Sequence, residues 1–452
     1  VSAVEDLIAS VVVAGPPGGG PAERSAIAAL SDTLAVGLAG LAEPAPAAVR
    51  SVLERTVGGV PAWQGSDRYA VADVALLHGT ASHALDWDDY MHPMHGHCSA
   101  VLLPAVWGLA EHLHRSGPDA VEAYLVGYQV DYLVSLVLSH GHYARGWHAT
   151  STIGVLGAAA AAARLLRLDA GASAAALGIA ASSASGLQAS FGTPTKALHA
   201  GLAARAGVLA AQLAAAGMTA SRSWLVGRHG MLQAYGGDTA PDDAVEIVRD
   251  ALEVHGITTP MGLVQKPYTS CGCSHAAVDA VVAVTGDLRP DDVERIEVHV
   301  DPAVTRTMRE TVVSDSFDSR YSPSWVVAVG AADGAAGPAQ FSPASLARPE
   351  VLALRERVDV VADLDTEEHD RFAARVVVHL RDGGQRSSEV RHASGHPANP
   401  LGDAEREHKQ RQALALAVTD VDAALGVIRA AWTAPDLADA GALLREAAGP
   451  GA

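Results

Sequence analysis

Lysine is nearly missing from this chain: Lys196, Lys266 and Lys409 stand against 29 arginines in 452 residues. Cysteine is as sparse, with only Cys98, Cys271 and Cys273. Three thiols cannot build a disulfide framework, and the odd number points to a reducing, cytoplasmic compartment. Aromatic residues make up 4% of the chain, four of them phenylalanine. That argues against the aromatic cavity needed by an Asp-rich, magnesium-dependent terpene-type site. Positive charge is scarce too, because 32 basic against 51 acidic side chains leave a net charge of −19. Such a balance repels phosphate backbones and speaks against general nucleic-acid binding. No run predicts a membrane span. The N-terminal apolar patch follows Glu5 and Asp6, where a signal peptide needs basic charge, and is far shorter than the roughly 20 residues a bilayer requires. The uncharged stretch 170–195 is mostly Ala, Ser and Gly and reads as a helix buried in protein.

What is present is a large supply of small apolar side chains. At 49% hydrophobic and 18% charged, the chain can bury a substantial core, and its length suggests two or three domains. Segments 24–40, 70–86, 99–114, 118–138, 151–167, 172–188 and 196–216 are rich in Ala and Leu, with Gly and Pro at their ends. They predict a dense helical bundle. After Lys266 the character changes. VERIEVHV (293–300) predicts a strand with Ile296, Val298 and Val300 on its apolar face, and RVVVHLRDGGQRSSEVRH (375–392) predicts a hairpin turning at Asp-Gly-Gly. Helical patterns lie between them, near 274–285, 322–332 and 346–357, and helix returns from 403. The expectation is a mainly α protein: a large all-helical domain, 1–265 completed by 401–452, with a smaller α+β domain inserted at 266–400.

Four polar segments could carry chemistry. HALDWDDYMHPMHGHC (83–98) places Asp86, Asp88, Asp89, His92, His95 and His97 in a loop before an apolar helix. It could be a capping loop, a metal site, or a histidine oriented by a carboxylate for proton transfer. GWHATST (146–152) sets His148 at a helix start, where an anion would be favoured and a plain capping turn is the alternative. FGTPTKALHAG (191–201) sets Lys196 at the start of a nearly uncharged helix, with His199 close behind. A surface lysine is the usual reading, but here the surface is written in arginine, which suggests a compact ammonium with a task of its own. KPYTSCGCSH (266–275) holds Lys266, Cys271, Cys273 and His275. One Cys-x-Cys pair is too little for a thiolate zinc site, while a low-pKa nucleophilic cysteine is conceivable.

These segments, in this order and together with LSDTLAVGLAG (30–40), SRYSPSWVVAVGAADG (319–334) and HPANPLGDAEREHKQR (396–411), resemble the MmgE/PrpD family over nearly the whole chain. The resemblance implies a helical domain with an α+β lid domain, an active site between them, and a homodimer without metal or organic cofactor. It implies catalytic roles for Asp86, His97, His148, Lys196 and Lys266, and substrate contacts from Tyr90, Thr193, Cys271 and His275. Tyr90 and Cys271 depart from the residues that decarboxylases of the family carry there. The activity implied is that of a lyase, most simply a 2-methylcitrate dehydratase-like hydro-lyase on a small hydroxylated di- or tricarboxylate. An epimerase, isomerase or decarboxylase of the same family is the alternative, and a non-catalytic binding role a more distant one. Lys409 reads as structural, pairing with an acidic neighbour.

Overall fold

The computed structural model describes residues 3–15, 20–308, 310, 313–366 and 372–449. Helix accounts for 58% of the chain and a small mixed sheet lies in the C-terminal region, so the mainly α expectation holds, although the first unit is not all helical: Val60–Pro61 pairs with Arg68–Tyr69. The backbone divides into two compact units, Val1–Leu263 with Arg406–Ala452, and Val264–Glu405.

The first unit is a helical bundle. Its helices are α1 (Ala3–Ala14), α2 (Pro21–Gly40), α3 (Pro44–Val52), α4 (Val71–Ala84), α5 (Ser99–His112), α6 (Gly117–Ala144), α7 (Ala149–Thr152), α8 (Gly154–Leu165), α9 (Ala170–Ala181) and α10 (Pro194–Ala215). The C-terminal segment adds Asp403–Ala415, Val421–Ala431 and Leu437–Ala448. Ser116 starts α6 with a reciprocal bond pair to Asp119, and Asp169 caps α9 by accepting from the Ala172 N–H. The segment expected as helix over 172–188 ends at Ala181. Beyond it, Trp147 bridges to Leu187 and the Gln188 amide donates to the Tyr143 and Trp147 carbonyls, so tertiary bonds replace the helical ladder. By length and composition, Gly117–Leu138 and Pro194–Ala215 could each cross a membrane; in the bundle 89% and 61% of those windows are buried.

Small side chains decide how closely the central helices meet. α10 packs against α4, α5, α8 and α9. At the α4–α10 crossing a Cβ on Gly79 would lie 2.7 Å from the Gly201 Cα, and one on Gly201 would overlap the Leu76 carbonyl oxygen and the Thr80 hydroxyl. The two backbones are in contact, which ordinary side chains would forbid. This crossing sets the spacing between the C-terminal end of α4 and the N-terminal end of α10. Gly201→Ala is therefore expected to destabilise the protein by about 1–3 kcal/mol, the usual cost of overpacking; an unchanged denaturant midpoint would count against the contact.

The second unit is a four-stranded sheet covered by helices. Its strand order is Val358–Val361, Val293–Val300, Ala374–Leu380, Gln385–Val390, the first pair parallel and the others antiparallel. Val293, Ile296, Val298 and Val300 are buried, and the helices His275–Thr285 and Pro323–Asp333 pack against each other and on the sheet. The hairpin turn has Gly383 at φ 87°, a conformation that glycine adopts without cost. Val358–Val361 is a further strand absent from the sequence-based reading. It lies at the sheet edge, only partly buried, and so lacks the alternation that announces a strand.

Candidate active site

The first unit gathers four of the expected residues. α4 ends at Ala84, and Asp86 turns the chain with φ 50°, a left-handed conformation that aspartate tolerates better than most residues. The following loop closes on itself, since the Met91 N–H donates to the Gly96 carbonyl at 2.9 Å. A Cβ on Gly96 would stand 2.8 Å from the Thr150 nitrogen, so glycine lets this loop lie against the start of α7. There the His97 N–H donates to the Thr150 hydroxyl at 3.0 Å, which returns His97 to the residues after α4.

Asp86 and Lys196 meet across the α4–α10 pair. The Lys196 Nζ donates to Asp86 Oδ1 at 3.0 Å and lies 5.6 Å from the centre of the Phe191 ring. At 7% exposure Lys196 is not a surface lysine. Its place in the first turn of α10 opposes the helix dipole, and Asp86 offsets that. His97 lies between two carboxylates, its Nε2 3.7 Å from Asp86 Oδ1 and its Nδ1 3.1 Å from Asp88 Oδ2. His148 precedes α7, buried, and its Nδ1 is 2.9 Å from the Nδ1 of His199. Burial first, then the positive ends of His83, Lys196, His199 and His97, push His148 well below the usual imidazole range, so it is neutral at pH 7.

His83, Asp88 and His199 are the residues that sequence reasoning did not assign to the site. His83 is on the last turn of α4 and fully buried. Its Nδ1 donates to Asp88 Oδ2 at 2.9 Å, and its Nε2 has no hydrogen-bond partner among the described residues. Its ring lies 4.3 Å from that of His97 and 5.9 Å from that of His148, linking the two. Burial carries His83 down to about 4, against the pull of Asp88. Burial raises Asp88, but His83 and His97 outweigh it and hold the carboxyl below the usual range. The signal available in the sequence was His83 five residues before Asp88, at the end of a helix.

The remaining candidates are placed as follows. Tyr90 is half-buried, its ring 5.4 Å from His92 and 6.3 Å from His97. His95 packs on Tyr143 at 5.0 Å. Thr193 is exposed at the start of α10, and its hydroxyl donates to the Ser190 carbonyl at 2.7 Å. The second unit carries Lys266, Cys271 and His275. Lys266 is fully buried, and His275 Nε2 donates to the Ser270 carbonyl at 3.2 Å. Cys271 Sγ is 3.1 Å from Cys273 Sγ, and the Cys271 N–H donates to the carbonyl of Arg320, a buried arginine that the sequence reading passed over.

Ligand atoms of His83, Asp86, Asp88 and His97 lie within 4.8 Å of one another, close enough to cup a cation. The ammonium of Lys196 already meets Asp86, and Asp88 already accepts from His83. A separate cleft of about 340 Å³, lined by Arg115, Glu122 and Arg164, lies apart from the histidines. Two of its arginines are engaged, Arg164 with Glu122 at 2.7 Å and Arg115 with the Leu165 carbonyl at 3.2 Å.

Behind the loop sits a third carboxyl, Asp89, which accepts from the Ser99 hydroxyl at 2.6 Å. Burial, reinforced by Asp88 and Asp32 and opposed by the Ser99 bond, raises it to about 8. An unfolded aspartate titrates near 3.9, so the folded state holds this proton more tightly. The stabilisation is full below about pH 4 and is lost as pH rises through 8. Asp89→Asn removes that loss. The unfolding temperature of the variant relative to wild type is expected to be higher at pH 9 than at pH 6, and a pH-independent difference would contradict it.

The helical bundle thus brings together an ammonium, two carboxylates and four imidazoles, all buried except the partly buried His97. Residues 15–244 match the MmgE/PrpD N-terminal domain and residues 268–433 the MmgE/PrpD C-terminal domain. The chain belongs to the MmgE/PrpD family of enzymes. Among curated proteins it is 28% identical to the cis-aconitate decarboxylase of Homo sapiens over 413 residues, 88% of this chain and 83% of that one. It is also 28% identical to the cis-aconitate decarboxylase of Mus musculus, covering 87% and 81%. The cis-aconitate decarboxylase of Aspergillus terreus is similar at 28%, covering 76% and 75%.

Proposed function

We propose that this protein is a cofactor-independent lyase that breaks a C–O or C–C bond beside a carboxylate of a small di- or tricarboxylate. The observation that carries the reading is the buried Lys196 ammonium, 3.0 Å from Asp86, with His97 and His148 in the same cluster. In a site this buried, one fixed cation stabilises developing negative charge far more than it would in solution.

Both bond cleavages pass through the same electronic demand. In dehydration, neutral His148 takes a proton from the carbon next to a carboxylate, and the electron pair spreads onto that carboxylate under Lys196. The hydroxyl then leaves as water with a proton delivered by the partner acid, for which His97 is placed. In decarboxylation, a carboxylate leaves as CO2, the electron pair left behind spreads in the same way, and a protonated imidazole returns a proton to carbon. The names of the 28%-identical relatives favour CO2 loss, and the hydroxy-acid reading of the sequence favours water loss. Asp86 holds Lys196 in place, and the Asp88–His83 pair backs the two histidines.

The test is incubation with cis-aconitate, citrate-like hydroxy acids and aspartate-like acids in D2O, with and without EDTA, followed by NMR. One of these acids should lose CO2 with deuterium entering at carbon, or lose water with its α-proton released to solvent, at a rate EDTA leaves unchanged. Exchange without loss of mass would turn the reading to an epimerase. No exchange or reaction with any of them would overturn the substrate class, and abolition by EDTA would overturn cofactor independence.

A further inference from the structure

His148 does not stand alone in the bundle. Its Nδ1 faces the Nδ1 of His199 at 2.9 Å, and two ring nitrogens at that distance must share one proton. Each ring is held by its surroundings. The backbone N–H of His148 donates to the Gly186 carbonyl at 3.0 Å, fixing the main chain that carries the ring, and the Phe191 ring meets the His148 ring edge-on at 5.0 Å. His199 is buried one turn beyond Lys196 on α10, so the helix that brings the ammonium also brings this second imidazole.

We propose that His199 is a positioning residue that sets the tautomer of His148 and shares its proton during turnover. This rests on the acid–base role given to His148 above. With the proton on His148 Nδ1 and donated to His199, the other ring nitrogen, Nε2, carries the lone pair and serves as the base. When Nε2 takes a proton from substrate, the imidazolium keeps its Nδ1–H bond to His199. The shared proton can then cross to His199 Nδ1, leaving a neutral His148 with Nε2–H ready to be delivered. No proton is gained or lost by the pair beyond the one taken and returned.

The charged and titratable groups around His148 are His83 from α4, His97 from the loop before α5, and Lys196 and His199 from α10. Burial and all four of these groups work against a positive charge on His148, and among them His199 is the one whose ring nitrogen lies within hydrogen-bond distance of His148 Nδ1. Removing the acceptor therefore makes His148 a weaker base.

The experiment compares His199→Leu, which fills similar space without an acceptor, with His199→Gln, which restores one. The readouts are solvent deuterium exchange into the reacting acid and the pH profile of kcat/KM. His199→Leu is expected to lower kcat about 10- to 100-fold with little change in KM. The acidic limb of its profile should move down by about one pH unit. His199→Gln should recover most of both, and free imidazole should partly rescue His199→Ala. If His199→Leu keeps the wild-type rate and limb while His148→Ala is inactive, the inference fails and the role of His148 stands. If both variants are slow with an unmoved limb, His199 is merely structural and the inference also fails. Wild-type activity in His148→Ala would overturn the inference together with the reading beneath it.

Discussion

Lys196→Met is expected to lower kcat/KM by a factor on the order of 10²–10³ toward whichever polycarboxylate the enzyme turns over, the usual cost of removing a buried group that stabilises transition-state charge. Methionine is close to lysine in length and keeps the packing beside Phe191, so the lost item is the charge. The loss should fall mainly on kcat, because the charge opposite Lys196 grows as the bond breaks. Arginine is a poor replacement: its planar fork needs more room than one ammonium 3.0 Å from Asp86, in a place 7% exposed. Asp86→Asn should also reduce turnover, and the double variant should be little worse than Lys196→Met alone, since the pair works as one unit. Steady-state kinetics on the folded variants, checked by circular dichroism, decide it. A near-wild-type rate for Lys196→Met would remove this lysine from the chemistry.

The scarcity of lysine gains a physical meaning from the structure. All three lysines are buried, Lys196 at 7%, Lys266 at 0% and Lys409 at 3% exposure. Exposed cations such as Arg55, Arg222 and Arg289 are arginine. This acidic protein thus keeps its few compact cations inside and leaves the surface to arginine.

Which features were legible follows from how local their causes are. The strand at Val293–Val300 and the hairpin after it could be read because alternation and an Asp-Gly-Gly turn act within a few residues. Helices with Ala-rich faces could be read from composition, but not their crossing. Nothing local says that Gly79 meets Gly201, although that contact sets the distance from Asp86 to Lys196. His83 escaped notice because one histidine within an apolar helix looks like core, and only its bond to Asp88 distinguishes it. His199 was seen beside Lys196, but its partner lies 51 residues earlier. The end of α9 at Ala181 has a local signal in Ser182, Ser183, Ser185 and Gly186, poor helix formers that an Ala-rich composition masks, while the bonds around Trp147 and Gln188 that take over from the helix are tertiary.

Lys409→Met is expected to cost about 3–5 kcal/mol of stability, as breaking one side of a buried ion pair does. The Lys409 Nζ donates to Asp32 Oδ2 at 2.6 Å and to the Trp87 carbonyl at 2.8 Å, and it lies 5.4 Å from the centre of the Trp87 ring. It thus ties the Asp403–Ala415 helix to α2 and to the loop between Asp86 and Asp88. Burial raises the Asp32 carboxyl above its usual range even with Lys409 opposing it, so desolvation is the larger effect on that group. An apolar pair of similar size should therefore serve the fold nearly as well, and Asp32→Leu with Lys409→Met should recover most of the lost stability in denaturant unfolding. Activity should not return with it, because the Trp87 carbonyl still lacks its donor and the flanking carboxylates lose their fixed register. Recovery of both stability and kcat in the double variant would show that Lys409 serves the fold alone. A cost below about 1 kcal/mol for Lys409→Met would mean that water reaches Asp32 and that the pair behaves as an exposed one.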